Sequence, residues 1–272
     1  MAFATTNQLD WNVVSRDMTY QVDGVEYKVP GKKVQVRDDN YEVVGVVGNG
    51  YHTYQNSDFK NLIAPAVSEG VLTIENIGYL GRGEKVFCQA VMAEEFKVVG
   101  ETHKGMISLM NSHDGTSALA GGVTDVRVIC GNTFAQAMTD MGTKIRHGKN
   151  LYIDAENIKV IVDYVNEGMA KFSQAAEILA TTRCNDEMVD KVITSVYGKK
   201  EVSQVRAAND IKKFFRDGIG TEGKSCWDLM NGFTQFYTHE SGKDDNKRYV
   251  SSNFGRNAVL SRKAMNIMMA MA

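Results

Sequence analysis

The segment Asn111-Ser112-His113-Asp114-Gly115-Thr116-Ser117 packs a histidine, a carboxylate and three hydroxyls into seven residues. Three kinds of chemistry could use it. A serine beside an imidazole could be a nucleophile with its base, as Ser112 or Ser117 with His113 or His147. His113, Asp114 and His147 could form an acid/base or metal site on a phosphate-bearing substrate. Against the first, no GxSxG elbow surrounds either serine. Against the second, three loosely spaced ligands fall short of a typical metal set. The same residue types also make tight turns for backbone reasons alone, so a plain polar hairpin tip competes with both.

The third chemistry is anion binding. Arg127 follows in "VTDVRVIC", and Lys144, Arg146, His147 and Lys149 follow in "GTKIRHGKN". If the turn and these cations share one side of a sheet, they offer several phosphate contacts. Lys144, Arg146, His147, Lys149 and Arg127 would then contact phosphate, and Asn111 and His113 would orient a strand or a base. The basic segment also reads as a solvated loop after a helix, where cations offset the helix dipole. Weak binding by one copy would be raised by repetition in an oligomer.

Strands and helices must position these groups. "TYQVDGVEYKV" (19–29) alternates around Asp23-Gly24, a strong hairpin signal. "KKVQVRDDNYEVVGVV" (32–47) repeats the pattern. Residues 51–70 read as a short strand and a helix capped by Asn56 or Ser57, with Pro65 kinking or shortening it. Two more hairpins cover 73–92, turning at Gly81-Arg82-Gly83, and 105–130, turning near His113-Asp114-Gly115. "NTFAQAMTDMG" (132–142) reads as a helix with Thr133 and Gln136 as a capping box. In "VTDVRVIC" the period of two puts Val126, Val128 and Cys130 on one face and Asp125, Arg127 and Ile129 on the other.

Helical periodicity dominates the rest. It spans 153–183, then 185–198 from an Asn cap to Gly198, then a stretch near 201–217. A further helix covers 225–240, capped by Ser225 and Asp228, and a methionine-rich helix lies near 257–271. Residues 241–255 read as a polar, glycine-bounded loop. Strands first and helices after them predict an α+β fold. The expected division is an antiparallel sheet with packed helices over 1–150. A helical region over 151–272 would pack on that sheet or on a neighbouring subunit.

The 272 residues suffice for one large domain or two modest ones, and 43% hydrophobic with 24% charged residues is ordinary for a globule. A net charge of −2 excludes a uniformly basic surface but not a local basic strip. Cys88, Cys130, Cys184 and Cys226 form no CxxC pair, so neither a zinc site nor a redox motif is expected, nor any cofactor. The start lacks a basic region followed by an apolar stretch, and no apolar run is long enough for a bilayer. The expectation is a cytoplasmic protein without a membrane partner.

"NSHDGTSALAGGVTDVRVICGNT", "IRHGKN", "WDLMNGFTQFYTHE" and "NFGRNAVLSRKAM" in this order resemble a phage- and plasmid-borne protein family of unknown function, the domain-of-unknown-function 932 type. The likeness runs from about "GYHTYQNSDF" to "KAM". It marks the "NSHDG" turn as a functional position without supplying an activity. At fold level, hairpin, hairpin and helix over 73–142 look like the β-β-β-α core of phage single-strand annealing proteins of the Red-beta and Erf kind. That likeness implies rings or filaments that lay single-stranded DNA along a basic groove. The expectation is an oligomeric, non-enzymatic, single-stranded DNA-binding protein of recombination or replication. In a phage it would act in the host cytoplasm. The alternatives are the His/Asp enzyme above and an interaction protein that blocks a host defence factor.

Overall fold

The computed structural model describes residues 9–117, 119–127, 133–136, 158–242 and 244–272. Strands β1 (Val13–Val22), β2 (Val25–Arg37) and β3 (Val43–Gly48) form one antiparallel sheet in sequence order. The first turn forms where the sequence calls for it. Asp23 and Gly24 both take positive φ, 51° and 79°, the geometry that matches a two-residue turn to the twist of its strands.

Two short helices follow, α1 (Asn56–Asn61) and α2 (Ala64–Ser68). Pro65 stands in the first turn of α2, where its missing N–H costs nothing, and so splits the expected single helix in two. The cap of α1 is Gln55, not Asn56 or Ser57. The Asn56 side chain is turned into the core instead.

A five-stranded meander comes next: β4 (Leu72–Leu80), β5 (Lys85–Val98), β6 (Glu101–Ser112), β7 (Ala120–Arg127) and β8 (Thr133–Gln136). Val99 and Gly100, with φ of 50° and 77°, join β5 to β6, so the two expected hairpins are one continuous run. Thr133–Gln136 is a strand, not the start of a helix. It pairs antiparallel with β7, Val126 opposite Thr133 and Val123 opposite Gln136. A strand edge offers a ladder of backbone partners, which outweighs a capping pattern four residues long. The remainder of the expected 132–142 helix lies outside the described residues.

The helical half contains α3 (Ile158–Thr181), α4 (Asp186–Tyr197), α5 (Ala208–Asp217), α6 (Cys226–Gln235), α7 (Asp245–Asn253) and α8 (Arg256–Met269). The fold class is therefore α+β, strand-rich and then helical. The Asn185 side chain accepts from the Met188 N–H at 2.9 Å, and Gly198 closes α4 in the left-handed conformation. Residues 201–217 do not form one helix: a 3₁₀ turn, Val202–Gln204, precedes α5. The 241–255 loop is corrected to α7, whose Asp244 side chain accepts from the Lys247 N–H at 2.8 Å. Phe236–Glu240 extends α6 as a π turn.

By chain contacts, one compact unit comprises residues 9–93 with 107–117 and 119–121. A second comprises 94–106, 122–127, 133–136 and the helices from 162 on. In the first unit, Leu9, Trp11, Val13, Val44, Tyr54, Phe59, Ile63, Val86, Cys88 and Leu119 make the core. In the second, Met169, Phe172 and Leu179 of α3 are buried, as are Ile193 of α4, Ile211 and Phe215 of α5, and Leu229 and Phe233 of α6. A Cβ on Gly232 of α6 would meet the Ile211 and Phe215 backbone of α5 at about 3 Å, so glycine permits this close crossing. Cys88, Cys184 and Cys226 are buried free thiols; Cys130 lies outside the described residues. Among the described residues, no helix is long and apolar enough to cross a membrane.

Candidate functional site

The "NSHDGTS" segment begins inside β6 and leaves it at Ser112. Its front half is not at the surface. Asn111, Ser112 and His113 are each 0% exposed. The Asn111 amide donates to the Tyr54 carbonyl at 3.0 Å. The His113 ring nitrogen Nε2 lies 3.0 Å from Oδ1 of Asn56, and the Asn56 amide donates to the Trp11 carbonyl at 2.9 Å. Because Asn56 uses its nitrogen on Trp11, its oxygen is the acceptor, and the proton between it and His113 sits on Nε2 of the imidazole. The indole of Trp11 meets the His113 ring edge-on at 5.6 Å.

The backbone of the turn is tied down as well. The His113 N–H donates to the Glu84 carbonyl at 2.8 Å, across the β4–β5 turn. The Tyr51 hydroxyl donates to the Ser112 carbonyl at 2.5 Å. Burial, with the nearby Asp114 charge, holds the Tyr51 phenol well above its ordinary range. Burial likewise pushes Tyr54 up to about 12. Both tyrosines therefore stay protonated donors throughout the physiological range.

Asp114 closes the turn. Its Oδ1 accepts from Ser112 Oγ at 2.6 Å, Thr116 N at 2.9 Å and Thr116 Oγ1 at 2.6 Å. Burial alone would raise this carboxyl. The hydrogen bonds from Ser112 and Thr116 outweigh it, and Lys85 adds to them, so Asp114 stays below the usual carboxylate range. The chain of β3 lies directly over this turn: a Cβ on Gly45 would come 2.6 Å from the Asp114 Cα and 2.8 Å from the His113 carbonyl oxygen.

A second charged group stabilises the Trp11 side. The Arg37 guanidinium lies 4.2 Å from the Trp11 ring centroid and 4.9 Å from that of Tyr79. It forks onto Asp39 at 2.8 and 2.6 Å and donates to the Arg82 carbonyl at 2.9 Å. The hydrogen bond to Asp39 outweighs burial and raises Arg37, and the same bond lowers Asp39. A planar cation packed against two aromatic rings set nearly at right angles, with a bidentate carboxylate, is an arrangement lysine does not reproduce.

This geometry joins two parts of the chain and engages the Ser112 hydroxyl, the Asp114 carboxylate and Nε2 of His113. Ser112 donates to a carboxylate rather than to His113, so it is not set up as a nucleophile. His113 has its Nε2 on Asn56. Among the described residues, no group of three or more His, Cys, Asp or Glu could hold a metal ion.

Of the expected contact residues, Asn111 and His113 therefore come together in the core of the first unit. Arg127 is the last residue of β7, one past the Val126–Thr133 pair. Lys144, Arg146, His147 and Lys149 lie outside the described residues. Sequence reasoning missed Trp11, Arg37, Gly45 and Tyr51 as partners of the turn. They are distant along the chain and carry no local pattern that points to it. Asn56 was visible only as a cap candidate, a position Asn commonly takes.

No curated protein and no solved structure matches the chain. The family model described as "Domain of unknown function (DUF932)" matches residues 43–263, a span that takes in Gly45, Asn56, the whole turn and the helices through most of α8. The chain belongs to that family.

Proposed function

We propose that this protein binds single-stranded nucleic acid through a basic strip and acts as an oligomer that anneals single strands, in phage or plasmid recombination or replication. The observation that supports the reading is the placement of Arg127. It ends β7 at the turn end of the β7–β8 hairpin, one residue past the Val126–Thr133 pair. The chain leaves β8 at Gln136, and Lys144 follows eight residues later, within about 28 Å of extended chain. Arg127 thus belongs to the hairpin that Lys144, Arg146, His147 and Lys149 follow in sequence. Asn111 and His113 take a different part in this reading: they brace the turn that leads into β7 rather than touch the strand.

Filter binding of single-stranded DNA across a salt series tests it. Each phosphate neutralised contributes about −0.7 to the slope of log affinity against log salt. Replacing Lys144, Arg146 and Lys149 together by alanine should flatten that slope by about 2. Absence of binding by the wild-type protein at low salt removes the proposal.

A further inference from the structure

The end of the first hairpin projects beyond its sheet. β3 pairs with β2 only over Lys32–Val36, so residues 19–28 form a two-stranded arm. An irregularity in register between Asp17 and Thr19, opposite Val29-Pro30-Gly31-Lys32, separates the arm from the sheet. Tyr20 lies opposite Tyr27 and Val22 opposite Val25, so the period of two puts all four on one face. The other face carries Thr19, Gln21, Glu26 and Lys28. The four apolar residues are between 45% and 53% exposed, and the two tyrosine rings stack on each other at 5.6 Å. Such an arm is stable only when its apolar face is covered, since an isolated hairpin is marginal in water.

Its charges are polarised. The tip bears Asp23 and Glu26, both exposed; the base bears Arg16 and Lys32, both exposed; Lys28 and Asp17 neutralise each other at 2.8 Å. From residue 22 to residue 16 the strand rises about 20 Å, with the tyrosine pair between the two ends. A two-fold axis through the apolar face would set the acidic tip of one arm beside the basic base of another. A nucleic acid strand would meet carboxylates at the tip, which repel phosphate.

We propose that this arm is a self-association surface: the Tyr20, Val22, Val25 and Tyr27 face docks on the same face of a second copy, antiparallel, with the turn residue Asp23 near Arg16 and Lys32 of that copy. The interface is isologous, because one patch serves both sides. Half-exposed tyrosines and valines give roughly 300–400 Å² per copy, so the pair buries about 600–800 Å². That is below the ~1,200 Å² of stable interfaces, and the association is weak and concentration-dependent. The proposal does not depend on nucleic-acid binding.

Sedimentation velocity of the full chain without nucleic acid, from micromolar to near-millimolar concentration, tests it. The wild type should shift from monomer to dimer over the series. Tyr20→Ser with Tyr27→Ser should weaken the dimer about tenfold or more with an unchanged far-ultraviolet spectrum. Asp23→Lys should also weaken it, and mixing that variant with Arg16→Glu, Lys32→Glu protein should restore association. A wild type that stays monomeric overturns the proposal, which would then leave the face covered by another segment of the same chain or by a different protein. Association unchanged by the tyrosine substitutions, or no recovery on mixing, overturns it too. Loss of strand binding by the tyrosine variant, with association intact, would assign the face to nucleic acid instead.

Discussion

The His113 imidazole lies 3.0 Å from the Asn56 side-chain oxygen, across 57 residues of chain, and both groups are fully buried. The pair joins the end of β6 to the start of α1, and through Trp11 to the start of β1. It makes the motif at 111–117 a keystone of the first unit, and each of its contacts has a measurable consequence.

Removing either partner takes the 3.0 Å contact from a fully buried polar atom of the other. His113→Ala and Asn56→Ala should each cost about 2–4 kcal/mol in urea unfolding. The double variant should cost less than the sum, with a coupling of about 1 kcal/mol or more. Strictly additive losses would show that the 3.0 Å contact does not operate in solution.

Asp114 gives a pH signature. Its native pKa is below the value of an unfolded aspartate, near 3.9, so the stabilisation is fully present above that value. It is lost as pH falls through the lower native pKa, because the unfolded chain takes up the proton first. Asp114→Ala should therefore destabilise at neutral pH by about 1–3 kcal/mol, with the difference from wild type shrinking towards about pH 3. Unfolding curves at several pH values check this; a difference that is constant or grows on acidification contradicts it.

Gly45→Ala tests the approach of β3 to the turn. The added carbon would meet two backbone atoms inside 3.0 Å, and backbone yields far less than a side-chain tip. A loss of about 1–3 kcal/mol is expected, with broadened amide resonances around Asp114. Gly48, whose nearest neighbour is 4.0 Å away, is the control that should tolerate alanine better.

Arg37→Lys keeps the charge and loses the fork and the stacked plane. A loss of about 2 kcal/mol is expected, with a shift in the fluorescence of Trp11. The same substitution in a Trp227→Phe background isolates that signal, since Trp227 is the second of two tryptophans. An unchanged Trp11 emission would argue against the ring contact.

Much of the secondary structure was legible in the sequence, because its signals are local. Asp23-Gly24 can adopt positive φ within two residues, and Asn185 with Gly198 brackets α4 through caps that reach only one turn. Pro65 limited its helix by its own ring. The misreadings arose where a partner distant in sequence decides. Thr133–Gln136 has a helix-cap pattern, yet β7 offers it a ladder. Residues 245–253 look like loop because their polar residues hide a helix that Asp244 starts.

For the site, the sequence by itself determined which residue types stand at 111–117 and that a turn forms there, since Asn, Asp, Gly and Thr satisfy a turn's backbone within a few residues. Only the tertiary structure decided which way those side chains face. Asn111 and His113 point inward because Tyr54, Asn56 and Trp11, from far earlier in the chain, supply the hydrogen-bond partners that make burial of polar groups tolerable. Spacing along a chain encodes local geometry, whereas burial of a polar group depends on a partner brought in by the fold.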